Sequence, residues 1–142
     1  MQQDRFIRMV RYSAWYDLLA TWMFVLPWTF IWIYTLLAWT ARSLGLPGAI
    51  PELEPMHILF ANLLGSVVVV WALARILYPS VALGRLDAVA RLLFMTWQIH
   101  AVFSGASAII LGFTAFELLF GILQLMPVEA RDEGLREQGA AA

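Results

Sequence analysis

Between Arg91 and Glu117 the chain runs for 25 residues without a charge, and only the small, turn-prone Ser104-Gly105-Ala106-Ser107 interrupts its apolar character. The stretch from Arg91 to Pro127 therefore reads as two membrane-crossing helices joined by a tight hairpin. Glu117 sits near the middle of the second. A carboxylate at that depth costs roughly 2–3 kcal/mol or more on insertion scales, so it is expected to be neutral, paired, or turned toward protein or water and away from lipid.

The rest of the composition agrees. Of 142 residues 62% are hydrophobic, and the mean hydropathy of +0.76 is far above that of a soluble domain. Seven Trp, nine Phe and four Tyr suit a bilayer, where amphipathic rings settle at headgroup level. A net charge of −1 with no basic patch gives no reason to expect a nucleic-acid partner. The absence of cysteine excludes disulfides, thiolate metal sites, c-type haem attachment and thiolate-bound iron–sulfur clusters. No phosphate-binding glycine loop or nucleophile elbow is present, so the chain is read as non-catalytic before it is read as an enzyme.

In chain order, Arg5, Arg8 and Arg11 suit an amphipathic start lying at the membrane surface. A first span follows at about 18–41, retained and not a cleaved signal, and kinked at Pro27. Residues 42–55 are a loop by their Gly and Pro, and Pro55 with Glu54 before it opens a second span at about 56–74. Ala61 and Gly65 form a small-xxx-small pair that admits another helix. The third and fourth spans fall at about 86–103 and 108–126. The expected architecture is an all-α integral membrane four-helix bundle over residues 1–127, followed by a charged, disordered cytoplasmic tail over 128–142. Eight of nine Arg fall on the side of both termini and only Arg42 on the other, which predicts cytoplasmic termini in the inner membrane.

Asp87, Arg91 and Gln98 share a stripe of the third helix, and Thr114, Glu117, Gly121 and Gln124 a stripe of the fourth. Buried together, Arg91, Gln98, Glu117 and Gln124 would form an intramembrane polar cluster, either interhelical glue or a proton-handling or ligand-facing site. Asp87 and Arg91 are an i, i+4 ion pair, with Asp17 at a similar depth. With the third helix starting at 86, Arg91 lies about 7–8 Å deep and Glu117 about 15 Å, so Gln98 and the indole of Trp28 are expected to hold a neutral Glu117 in place of Arg91. Glu54, His57 and His100 gather near the outer surface, where they could hold a metal or contact a haem or quinone head. Trp28, Trp32, Thr35 and Trp39 follow the spacing of a packing face and read as core and interface anchors.

Four short spans, both termini inside, a Pro/Gly-rich first outer loop and a minimal last hairpin resemble the DoxX-like group of small bacterial membrane proteins. The resemblance is one of topology across most of the chain, and no residue roles are carried over. It implies an inner-membrane protein, some of whose relatives are tied to quinone-linked oxidation. The expected role is that of an accessory or assembly subunit packing against the bilayer and a larger membrane partner or itself. A quinone- or haem-linked redox protein and an oligomeric small transporter or lipid-binding module are the alternatives.

Overall fold

The computed structural model describes residues 1–129. Most of the expected 128–142 tail therefore lies outside the described residues. These form five α-helices, α1 Gln3–Thr21, α2 Pro27–Ser43, α3 Pro55–Leu77, α4 Val81–Phe103 and α5 Ile110–Leu125, with a short 3-10 turn Trp22–Phe24 after α1 and no strand.

The N-terminal segment is not a surface helix. Phe6, Val10, Ser13, Ala14 and Asp17 lie on one 3.6-residue face of α1, and that face is buried in the bundle. Arg5, Arg8 and Arg11 occupy the exposed face. The uncharged stretch 18–41 is likewise not one kinked helix: α1 and α2 meet at 103° across residues 25–26. Pro27 is the cause. The residue before a proline is pushed out of the helical region, and Leu26 accordingly is extended (φ −112°, ψ 138°), which leaves Pro27 to open a new helix. The break frees backbone carbonyls, and side chains satisfy them. Thr29 Oγ1 donates to Met23 O at 2.7 Å and to Leu26 O at 3.0 Å, and Asn62 Nδ2 of α3 donates to Phe24 O at 2.7 Å. Gly65 makes room for this crossing, since a Cβ there would lie 2.5 Å from Phe24 Cβ. The small-xxx-small pair thus admits the 3-10 turn and not the face of a long helix.

Helix α3 begins as expected, with Pro55 at its first position and Glu54 as N-cap. Helix α4 begins at Val81, five residues before the expected 86, because Ser80 Oγ accepts the Leu83 N–H at 3.1 Å and caps it. Gly84, which precedes the expected start at 86, is therefore inside the helix, where Phe6 and Val10 pack directly on its Cα face. The α4–α5 hairpin turns over the expected Ser104–Ser107, with Gly105 at φ 100°, and continues to Ile109, so α5 begins two residues later than the expected 108.

The two ends of the bundle are each tied. At one, the Met1 ammonium donates to Pro127 O at 2.7 Å, and Arg85 donates to Gln124 O at 2.6 Å and Met126 O at 2.8 Å. At the other, the 44–54 loop is laced to the last turn: Ala49 N donates to Gly105 O at 2.9 Å, Ser107 N to Ala49 O at 3.0 Å and Ala108 N to Pro47 O at 2.9 Å. Gly48 (φ 92°) lies against Ala106 so closely that any Cβ would strike its carbonyl.

Burial is inverted relative to a water-soluble fold. Among the described residues the buried apolar set is Phe6, Val10, Ala14, Phe30, Ala41, Ala72 and Ala88, four of them alanines. The buried polar set, Ser13, Asp17, Arg75, Asp87, Arg91, Ser107, Thr114 and Gln124, is larger. Leu, Ile, Val, Phe and Trp side chains point outward along every helix. Only α3 is both long and apolar enough to cross a bilayer alone. Helices α1 and α2 qualify only as a bent pair, and α5 is apolar but 16 residues long. Helix α4 carries Arg85, Asp87 and Arg91, and the last two are turned inward.

Candidate functional site

Four helices contribute to one buried network of charged and polar side chains. Three do so from a stripe in which small residues alternate with polar ones: Gly65, Ala72 and Arg75 on α3; Gly84, Asp87, Ala88 and Arg91 on α4; Thr114, Gly121 and Gln124 on α5; α1 adds Ser13 and Asp17. The small residues bring the backbones close, and the polar ones then meet across the gap.

Asp87 is the hub. Its Oδ2 accepts from Arg75 Nη1 at 2.5 Å, Gln124 Nε2 at 2.6 Å and Arg91 Nε at 2.9 Å, while Oδ1 accepts from Trp71 Nε1 at 2.9 Å. Asp17 Oδ2 bridges the two guanidiniums, accepting from Arg75 Nη2 at 2.5 Å and Arg91 Nη2 at 2.6 Å. Glu117 Oε2 accepts from Arg91 Nη1 at 2.7 Å. Ser13 Oγ accepts from Gln124 Nε2 at 3.0 Å and donates to Val10 O at 2.9 Å. The Arg91 guanidinium also lies 5.0 Å from the Phe120 ring centroid, and that of Arg75 5.7 Å from Trp71, so apolar ring faces close the cluster from the side. Two buried polar atoms have no partner among the described residues, Arg75 Nε and Gln124 Oε1.

Arg91, Glu117 and Gln124 are therefore brought together, as the sequence suggested. Gln98 is not: its Oε1 accepts from Thr114 Oγ1 at 2.7 Å, further along the α4–α5 seam. The expectation that Gln98 and Trp28 hold Glu117 in place of Arg91 is overturned, and the early start of α4 is the reason. Counted from Val81, Arg91 is about 15 Å along its helix, and Glu117 is about 12 Å from the Leu125 end of α5, so the two are level. Trp28 belongs to α2, past the break, and is 67% exposed.

Asp17, as a bridge between two guanidiniums, and Arg75, Trp71 and Ser13 altogether, were not part of the expected cluster. The sequence places Asp17 only at the depth of the Asp87–Arg91 pair, and Arg75 just past the expected second span at 56–74. The available signal was register: Asp17 continues the Phe6–Val10–Ser13–Ala14 face, and Arg75 continues the Gly65–Ala72 stripe.

The outer histidines do something more local. His57 Nδ1 accepts the Glu54 N–H at 3.2 Å and the Glu54 side chain accepts the His57 N–H, a reciprocal cap of the α3 N-terminus. His100 is exposed, its ring set edge-on to Trp97 at 6.1 Å. Glu54, His57 and His100 do not assemble a metal site; no cluster of three or more such side chains able to hold a metal occurs among the described residues. Trp28, Trp32 and Trp39 are each at least 60% exposed, so they are not core, and Thr35 Oγ1 only donates back to Ile31 O at 2.8 Å.

The described residues thus define a class, an all-α bundle organised around a buried ion network. Comparison with known families, curated proteins and solved structures finds no match to this chain.

Proposed function

We propose that this chain is a polytopic inner-membrane protein with both termini cytoplasmic, serving as a non-catalytic accessory or assembly subunit. The observation that carries this reading is the inverted burial: Asp17, Arg75, Asp87 and Arg91 are withdrawn to the helix seams, Arg5, Arg8 and Arg11 stay outward at one end, and the outward surface between is Leu, Val, Ile, Phe and Trp. In water such a surface would far exceed the few hundred Å² of contiguous apolar area that monomeric soluble proteins carry, whereas acyl chains solvate it. The paired Arg75 and Arg91 are removed from the loop count, yet Arg5, Arg8, Arg11 and Arg85 still face Arg42 across the bundle, which favours the same orientation. The accessory role rests on the network's construction, in which every charged member is bonded to another helix and Ser13, Trp71 and Gln124 add neutral bonds to it. Such a cluster fixes helix register, and the outward apolar helix faces remain for a partner or a second copy. The likeness to the DoxX-like group lies in helix and loop order, and this reading does not depend on it.

Reporter fusions test the topology. A fusion after Ala142 is expected to be active only as a cytoplasmic reporter and an insertion near Gly48 only as an external one; the opposite pattern overturns the reading. A purified protein with a haem band in its visible spectrum would replace the accessory role by the redox alternative.

A further inference from the structure

The network does not balance its own charge. Asp17, Asp87 and Glu117 face Arg75 and Arg91, three carboxyls against two guanidiniums that do not lose their protons in proteins. One excess negative charge among side chains only 0–13% exposed is costly, and a cation taken up by the cluster would remove that cost.

The three carboxyls are not equivalent. A proton on Asp87 would displace a donor, because both its oxygens are filled by Trp71, Arg75, Arg91 and Gln124. On Asp17 it would weaken the bridge that joins both guanidiniums. Glu117 accepts one bond, at Oε2, and its Oε1 has no donor among the described residues, so Oε1 can carry a proton while Oε2 keeps Arg91. Its side chain is 13% accessible, close to Asp17 at 12% and unlike Asp87 at 3%, and it differs from Asp17 in holding one guanidinium where Asp17 holds two, so a proton can come and go there at the cost of the fewest bonds. The cluster also keeps unused bonding capacity: Gln124, fully buried with its Nε2 on Asp87 and Ser13, has no donor to its Oε1, and Arg75 has no acceptor for its Nε, among the described residues.

We propose that Glu117 is a single-proton binding site, holding the one proton that neutralises the Asp17–Arg75–Asp87–Arg91–Glu117 network and exchanging it with the exterior. Around it stand Tyr16 and Asp17 on α1, Arg75 on α3, and Asp87 and Arg91 on α4; Tyr16 stacks on Phe116 at 4.8 Å and flanks the carboxyl beside Phe120. The accessory reading carries no such exchange, and the membrane reading stands whether or not this site exists.

Infrared spectroscopy of the full chain in lipid nanodiscs at neutral pH reads the site directly. The expected result is a protonated-carboxyl carbonyl band in the wild type that is lost in Glu117→Gln, with thermal unfolding unchanged. Absence of the band in the wild type overturns the proposal, as does its persistence in Glu117→Gln. A band that appears only when sodium and potassium are removed also overturns it, because a metal cation then neutralises the cluster. If Glu117→Gln does not fold, carboxyl-labelled glutamate NMR of the wild type decides. One protonated resonance among the six glutamates supports the site, and six ionised resonances overturn it.

Discussion

Asp87 and Asp17 are both buried carboxylates paired with the same two arginines, yet they are not equally exposed to loss. Asp87 satisfies four donors from three helices, and Asp17 satisfies two. Removing one partner of a buried charge pair leaves the other uncompensated, an effect of about 3–5 kcal/mol. Asp87→Leu is therefore expected to fall at the upper end of that range or to prevent folding, and Asp17→Leu to cost measurably less, in thermal or denaturant unfolding in detergent. Equal losses would mean that Asp87 is not the hub. The i, i+4 relation of Asp87 to Arg91 was visible in the sequence, as was the Thr114–Glu117–Gly121–Gln124 stripe. The Arg91–Glu117 pair was not, because its depth depended on where α4 begins. Five residues are about 7.5 Å of helix, enough to move an arginine from beside a carboxylate to the end of the bundle.

At the scale of elements, the break between α1 and α2 is held by two contacts with α3: the Asn62 amide on Phe24 O, and the bare Cα of Gly65 under the Phe24 side chain. Asn62→Leu leaves that carbonyl without its donor and is expected to cost about 1–3 kcal/mol. Gly65→Val forces the turn away from α3 and is expected to cost about 1–3 kcal/mol or more by overpacking. Faster amide exchange over residues 22–26 in both variants would localise the damage, whereas a uniform change along the chain would contradict this account. Gly48→Ala tests the other end: its Cβ would meet the Ala106 carbonyl in a conformation that already disfavours a side chain, so the lacing of the 44–54 loop to the last turn should open. Protease sensitivity at that loop is the readout.

For the whole molecule, the proposed membrane reading and the inverted burial together predict where acyl chains would lie. Trp28, Trp32 and Trp39 on α2 and Trp97 on α4 are all at least 60% exposed. In nanodiscs built with acyl-brominated lipid their fluorescence is expected to fall, while iodide in the aqueous phase leaves it little changed. Quenching by iodide and not by bromine would mean that this surface meets water. A simple span count marks α3 alone because α4 carries Arg85, Asp87 and Arg91, α5 is 16 residues long, and the apolar stretch 18–41 is divided at Pro27.

The sequence by itself determined that the chain is helical, where the α4–α5 hairpin turns, and that its polar residues must be withdrawn from the outer surface, because apolar length, turn residues and hydropathy are local quantities. It also showed which residues share a stripe, since that needs only the 3.6-residue period. What only the tertiary structure decided was which stripes meet and at what level. Ser80 capping α4, Leu26 and Pro27 breaking the first apolar stretch, and α1 entering the bundle on its Phe6–Asp17 face each shift the register of one helix against another. An ion network is a property of that register: a guanidinium finds a carboxylate only when two helix starts, far apart in the chain, are both right.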